Sequence, residues 1–157
     1  MLNSLLDLLT EKMILLNVPA KDWEDALRKG AQLLINSGGV ESRYTEAMIK
    51  MVKDLGPFVV VAPGLALGHA GSDAGVYRTC FSLITLEKPV NFGVPENDPV
   101  DLIFSFAAPN KEEHMQALRD MALFCCENKN LEGIRKAKSP FEVMKLLKIF
   151  FKENKSK

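Results

Sequence analysis

Three short apolar runs, residues 58–62 (FVVVA), 78–86 (RTCFSLITL) and 100–108 (VDLIFSFAA), constrain this chain more than any other feature. Each is bounded by proline, glycine or a polar turn, and each is too brief for a helix, so they read as strands. Their nearly continuous hydrophobicity implies burial on both faces, because a strand with one wet face would alternate. A covering layer must therefore lie on each side, and the segments between the runs carry helical periodicity that can supply it.

Trp23, Ala26, Leu27, Gly30, Ala31 and Leu34 form one stripe that ends at Gly38 and Gly39. Tyr44, Ala47, Met48, Met51, Val52 and Leu55 form a second, stopped by Gly56 and Pro57. A short leading helix is expected at residues 3–9 and a first strand in MILLN, residues 13–17. A helix is expected over 111–127 and a short one over 131–137. The last starts at Ser139 as N-cap, with Pro140 at N1 and Glu142 at N3, and turns Val143, Leu146, Leu147, Phe150 and Phe151 to the core. Helices alternating with strands predict an α/β fold with a mixed, mostly parallel central sheet of about five strands flanked by helices on both faces.

A chain of 157 residues with 25% charged side chains fits one domain, residues 1–157, with about 152–157 as a solvated lysine-rich tail. Twenty basic and twenty acidic residues cancel, which removes any electrostatic case for nucleic acid or an anionic membrane. No segment reaches the length of a membrane helix, and MLNSLLDLLTEKM lacks the basic start and small-residue site of a signal peptide, so a cytoplasmic protein is expected. Cys80, Cys125 and Cys126 have no disulfide or metal spacing and are expected to be reduced packing residues.

Chemistry concentrates at two histidines, the only ones in the chain. His69 lies in PGLALGHAGSDAG, residues 63–75, among Gly64, Gly68, Gly71 and Gly75, directly after the first apolar run. Glycines let backbone amides approach an anion, and a neutral imidazole nitrogen can accept a phosphoryl group, bind a metal or move a proton. The same pattern arises where a histidine merely bonds its own turn. His114 follows the third run, with Pro109 and Asn110 marking the break. Asn110 is expected to cap the helix, Glu113 to return a bond to the backbone, and His114 to fall in the first turn. It heads the stripe His114, Ala117, Leu118, Met121, Ala122 and Cys125, a placement equally expected of a core histidine. Loops at the carboxyl ends of parallel strands gather at one edge, so the two rings are expected to meet there.

The segments YTEAMIKMVKDLGPFVVVAPGLALGHA, TCFSLITLEKPVNFG and ENDPVDLIFSFAAPNKEEHMQAL resemble the enzyme IIA component of the bacterial phosphoenolpyruvate-dependent sugar phosphotransferase system, over roughly residues 10–150. The likeness is to the mannitol/fructose-type superfamily, and LGPFVVVAPGLAL with NDPVDL is most similar to its ascorbate-type branch. The resemblance implies the mannitol-type IIA fold and a phosphocarrier. His69 would take a phosphoryl group from HPr as a tele-phosphohistidine and pass it to a cysteine of a IIB component, with a membrane IIC component downstream. His114 would assist. Amides around Gly68, Ala70 and Gly71 are the expected phosphate donors, with no metal and no other cofactor.

Two positions depart from the pattern. Gly68 stands where many members have proline, and Met51 stands where the mannitol-type YxxxMxxR pattern, here begun by Tyr44 and Met48, has arginine. Arg78 is a candidate replacement cation. Leu65, Leu67 and Phe92 are candidates for an apolar docking rim or equally for ordinary core. A regulatory phosphoprotein of the same fold stays open, as does a binding module or hydrolase using the histidine pair without phosphorylation. Ser72 and Ser82 have no nucleophile-elbow pattern to support the latter. Homodimerisation stays open as well.

Overall fold

A computed structural model describes residues 5–154. The elements are α1 (Leu5–Leu8), a 3-10 turn (Glu11–Met13), β1 (Ile14–Val18), α2 (Trp23–Asn36), α3 (Arg43–Leu55), β2 (Val60–Ala62) and β3 (Leu65–Gly68). They continue as β4 (Cys80–Val90), β5 (Val100–Ala107), α4 (Lys111–Cys125), α5 (Asn128–Lys136) and α6 (Pro140–Glu153). The strands form one sheet in the order β1-β4-β5-β3-β2. β1 runs parallel to β4 and β3 parallel to β5, while β4/β5 and β2/β3 are antiparallel. The expected mixed five-stranded sheet is present, with parallel and antiparallel pairings in equal number. Both antiparallel pairs join strands consecutive in sequence, which need no helical crossover.

The two faces are packed differently. On one, Ser82 of β4 donates from Oγ to the Gly30 carbonyl of α2 at 2.8 Å, and a Cβ at Gly30 would stand 2.8 Å from Ser105 Oγ. Two serines facing a glycine let α2 lie almost on the sheet, with α3 packed beside it. On the other face the aromatic rings gather. Phe104 meets Phe124 of α4 edge-on at 6.4 Å, and Phe124 meets Phe150 of α6 at 5.3 Å.

One strand differs from the sequence reading. The glycines of PGLALGHAGSDAG predict a loop across residues 63–75, yet Leu65–Gly68 within it is β3, buried throughout and paired on both sides. Four residues are too few to show a period, and the turn at Pro63 and Gly64, with Gly64 at φ 76°, folds the run 58–62 back on it. Arg135 clamps that turn from below through Asp101, at 2.9–3.1 Å, and the Pro63 carbonyl, at 3.4 Å.

Smaller differences have local causes. β4 begins two residues later than expected and runs on to Val90, where Val90 pairs with Val100. α4 stops at Cys125 and α5 starts at Asn128. Leu55 and Ala122 are exposed rather than on the core stripes, since a helical stripe drifts around the cylinder, and Phe124 and Met144 take core places instead. The expected leading helix is described from Leu5 only, its first residues lying outside the described residues. Lys152 and Glu153, read as tail, continue α6, while residues 155–157 lie outside the description.

Candidate active site

Gly68 pairs with Ser105 in the parallel β3/β5 ladder, so the residues just beyond both strands emerge together at one edge of the sheet. His69 is the first residue past β3. Its ring stacks on Phe106 at 4.9 Å, meets Phe58 edge-on at 5.5 Å, and lies 5.5 Å from the ring of His114. His114 reaches this point because α4 starts where expected: Asn110 accepts from the Glu113 amide at 2.9 Å, which places the histidine in the first turn. The return bond differs from expectation. The Asn110 side-chain amide donates to Glu113 Oε2 at 2.7 Å, and Glu113 Oε1 accepts from Thr79 Oγ1 at 2.8 Å, so Glu113 ties the cap to the strand edge.

The chemistry of His69 follows from one contact. Nδ1 lies 2.9 Å from the Leu67 carbonyl, and a carbonyl oxygen can only accept, so Nδ1 carries the proton and Nε2 keeps its lone pair. Burial lowers the pKa of the ring, the Leu67 carbonyl opposes this, and His114 adds a further lowering. The ring is thus neutral near pH 7, with Nε2 as a nucleophile. Burial also lowers the pKa of His114.

Tyr44 does what the sequence reading assigned to no residue. Fully buried on α3, its hydroxyl accepts from the Ala70 amide at 2.8 Å and donates to the Phe106 carbonyl at 2.8 Å. It staples the segment after His69 to the end of β5. Burial pushes the phenol pKa well up, so the staple stays neutral. A tyrosine on an otherwise apolar stripe was the available signal, because a buried hydroxyl needs a partner.

The expected phosphate donors separate. The Ala70 amide is spent on Tyr44 and is withdrawn as a donor. Gly68 is a ladder residue whose missing side chain makes room for others: a Cβ there would stand 2.8 Å from Met48 Cε, 3.1 Å from Leu27 Cδ2 and 3.1 Å from Ser105 Oγ. A side chain there would have to displace residues of α2 and α3 that pack on the sheet. Gly71 is exposed and, among the described residues, its amide meets no acceptor.

Other candidates move away from the site. Arg78 donates to the Ser37 carbonyl at the end of α2. Leu65 and Leu67 are buried in β3, and Phe92 is buried past the opposite end of β4, its ring 5.9 Å from Trp23. The apolar groups that do border the histidines are Phe58, 39% exposed, and Met115, 62% exposed. Ser82 is fully buried; Ser72 lines a cleft of about 530 Å³ together with Asn110, Lys111, His114 and Met115. Met51 is half-buried against the core. Among the described residues no group of three or more His, Cys, Asp or Glu could hold a metal ion.

Residues 7–149 match the family described as the phosphoenolpyruvate-dependent sugar phosphotransferase system, EIIA 2. The chain belongs to that family. It is 36% identical over 137 residues to the ascorbate-specific PTS system EIIA component of Escherichia coli (strain K12), a match covering 87% of this chain and 89% of the relative. Among solved structures it is similar to the mannitol-specific cryptic phosphotransferase enzyme IIA CmtB of Escherichia coli, with a TM-score of 0.80, 29% identity and coverage of 90% of this chain and 95% of that one. It is also similar to a chain in the complex of enzyme IIAMTL and phosphorylated enzyme IIBMTL of Escherichia coli, with a TM-score of 0.79, 28% identity and coverage of 88% and 96%. EIIA proteins are phosphotransferase components of sugar transport, and among the described residues no helix is long and apolar enough to cross a membrane.

Proposed function

We propose that this chain is a single-domain cytoplasmic phosphocarrier whose His69 accepts a phosphoryl group from phospho-HPr and delivers it to a IIB component, in a system for ascorbate or a related sugar. The observation that carries this reading is the 2.9 Å bond from His69 Nδ1–H to the Leu67 carbonyl, which leaves the Nε2 lone pair free on a ring 5.5 Å from that of His114, and His114 lines the cleft. In the first step Nε2 attacks the phosphorus of the donor phosphohistidine nearly in line. The N–P bond on HPr breaks as the N–P bond on His69 forms, and the HPr imidazole leaves with the electron pair. In the second, a IIB thiolate attacks the same phosphorus and the His69 ring is released.

The chain's own groups have separable tasks. The Leu67 carbonyl holds the tautomer, Phe106 holds the ring plane, and Tyr44 holds the backbone that follows. His114 faces the same pocket and donates a hydrogen bond to the transferring oxygens, aided by its place in the first turn of α4 where the helix dipole favours anions. The Gly71 amide is the loop donor that remains for a phosphoryl oxygen. Phe58 and Met115 form an apolar rim on which HPr and IIB would dock in turn, since both must reach one nitrogen. The ascorbate assignment is supported by the 36% identical relative of that specificity.

The test is to incubate the protein with phosphoenolpyruvate, enzyme I and HPr and to measure acid-labile phosphate, then its transfer to an ascorbate-type IIB component. Labelling is expected in the wild type and absent in His69→Ala. Labelling that persists in His69→Ala would sink the assignment.

A further inference from the structure

A phosphoryl group on His69 brings negative charge beside the cleft, and the arginine that the resemblance to mannitol-type members implies on α3 is Met51 in this chain. Three cationic side chains could compensate. Arg78 is held by the Ser37 carbonyl, and Arg43 is paired with Glu41 at 2.5 Å. Lys111 makes no ion pair among the described residues and lines the cleft beside the histidines. It is the first residue of α4 and stands three residues before His114, so the two side chains share a helix face. Of the five residues lining the cleft it alone carries a permanent charge. A lysine at the start of a helix opposes the helix dipole, so Lys111 gains nothing for α4 from this position.

Resting on the phosphocarrier reading above, we propose that Lys111 is the cation that holds the phosphoryl oxygens once His69 is phosphorylated. Its ammonium is a compact charge on a flexible stem, suited to reach across one helical turn to a group on the neighbouring ring. Among the described residues neither Glu112, next to it in the chain, nor any other carboxylate is paired with it. Glu113 is engaged by Thr79 and Asn110, and Asp73 lies on the Gly71 side of the loop, its Oδ1 2.7 Å from where a Gly71 Cβ would stand. The phosphate's cation would thus stand at the start of α4 in place of the α3 arginine of the mannitol-type pattern.

The experiment phosphorylates wild type, Lys111→Gln and Lys111→Arg with phosphoenolpyruvate, enzyme I and HPr, removes the partners, and titrates the phosphoryl group by 31P NMR. A neighbouring ammonium favours the dianion, so the phosphoryl pKa is expected about 0.5 pH units lower in the wild type than in Lys111→Gln. Lys111→Arg should restore most of the difference. Superimposable titrations of wild type and Lys111→Gln overturn the assignment, and so does a variant slowed only in transfer from HPr, which would place Lys111 in docking alone. A wild type that takes up no phosphate would instead overturn the phosphocarrier reading itself.

Discussion

The Ala70 amide donates to the Tyr44 hydroxyl at 2.8 Å, and that hydroxyl in turn donates a hydrogen bond to the Phe106 carbonyl at 2.8 Å. One buried side chain thereby joins the backbone leaving His69 to the strand on which the His69 ring rests. Tyr44→Phe keeps the ring and removes the bridge, leaving a buried N–H and a carbonyl without this partner. The expected loss is about 1–3 kcal/mol of stability, with slower phosphoryl uptake because His69 is less well held. Denaturant unfolding and the labelling rate measure the two effects; a variant as stable and as fast as wild type would show the bridge to be idle.

Gly68 tests whether the loop or the core needs the glycine. A side chain there meets Met48, Leu27 and Ser105, so Gly68→Val is expected to lose about 1–3 kcal/mol or more by overpacking. Pairing Gly68→Ala with Met48→Ala, which removes the nearest atom, should cost less than the two single substitutions summed. The fall in activity should then follow the fall in folded protein. Strict additivity would show that Met48 does not set the limit at this position, and a Gly68→Val protein that is fully stable and inactive would assign the role to the anion.

His114 faces His69 at 5.5 Å and lies only partly buried, so shortening it opens little of the core. His114→Ala is expected to slow transfer by about 10²–10³-fold while His69 still becomes labelled, the size of effect seen when one preorganised donor is removed. Thermal unfolding should change little. Wild-type transfer rates in this variant would reduce His114 to a packing residue.

How much of this was legible in the sequence depended on where each constraint lives. Asn110 and Ser139 announced their helices because an N-cap is a local hydrogen bond, to Glu113 and Glu142 here, and the spacing alone specifies it. His69 and His114 are expected to meet because each follows a strand, and their rings lie 5.5 Å apart. β3 is not legible, since a four-residue strand that itself ends on a glycine carries no period and its burial is conferred by β2 and β5 on either side. For the same reason Leu65 and Leu67 passed as rim candidates. At Gly68 the sequence suggests backbone freedom, while the structure adds a steric constraint from two helices 20 and 41 residues upstream in the chain, at Met48 and Leu27. Ala70 passed as a free donor because nothing local to it reveals the Tyr44 hydroxyl.

The pH dependence of stability follows from the direction in which the site histidines are shifted. Burial lowers the His69 pKa below its ordinary 6.5, and the His114 pKa moves the same way. The folded protein therefore binds protons at these rings less readily than the unfolded chain does. Above the unfolded value both states are unprotonated and the contribution is fully present. As pH falls below about 6.5 the unfolded chain protonates first, so stability declines until the folded rings titrate as well. His69 should titrate below 6.5 by NMR, and wild type should lose more stability than His69→Gln between pH 7 and the folded midpoint. The same shift keeps Nε2 unprotonated further into acid, so phosphoryl uptake should persist below pH 6.5, to lower pH than an ordinary imidazole would allow. A His69 midpoint at or above 6.5, or an uptake profile that falls with it, would contradict a ring held neutral by burial.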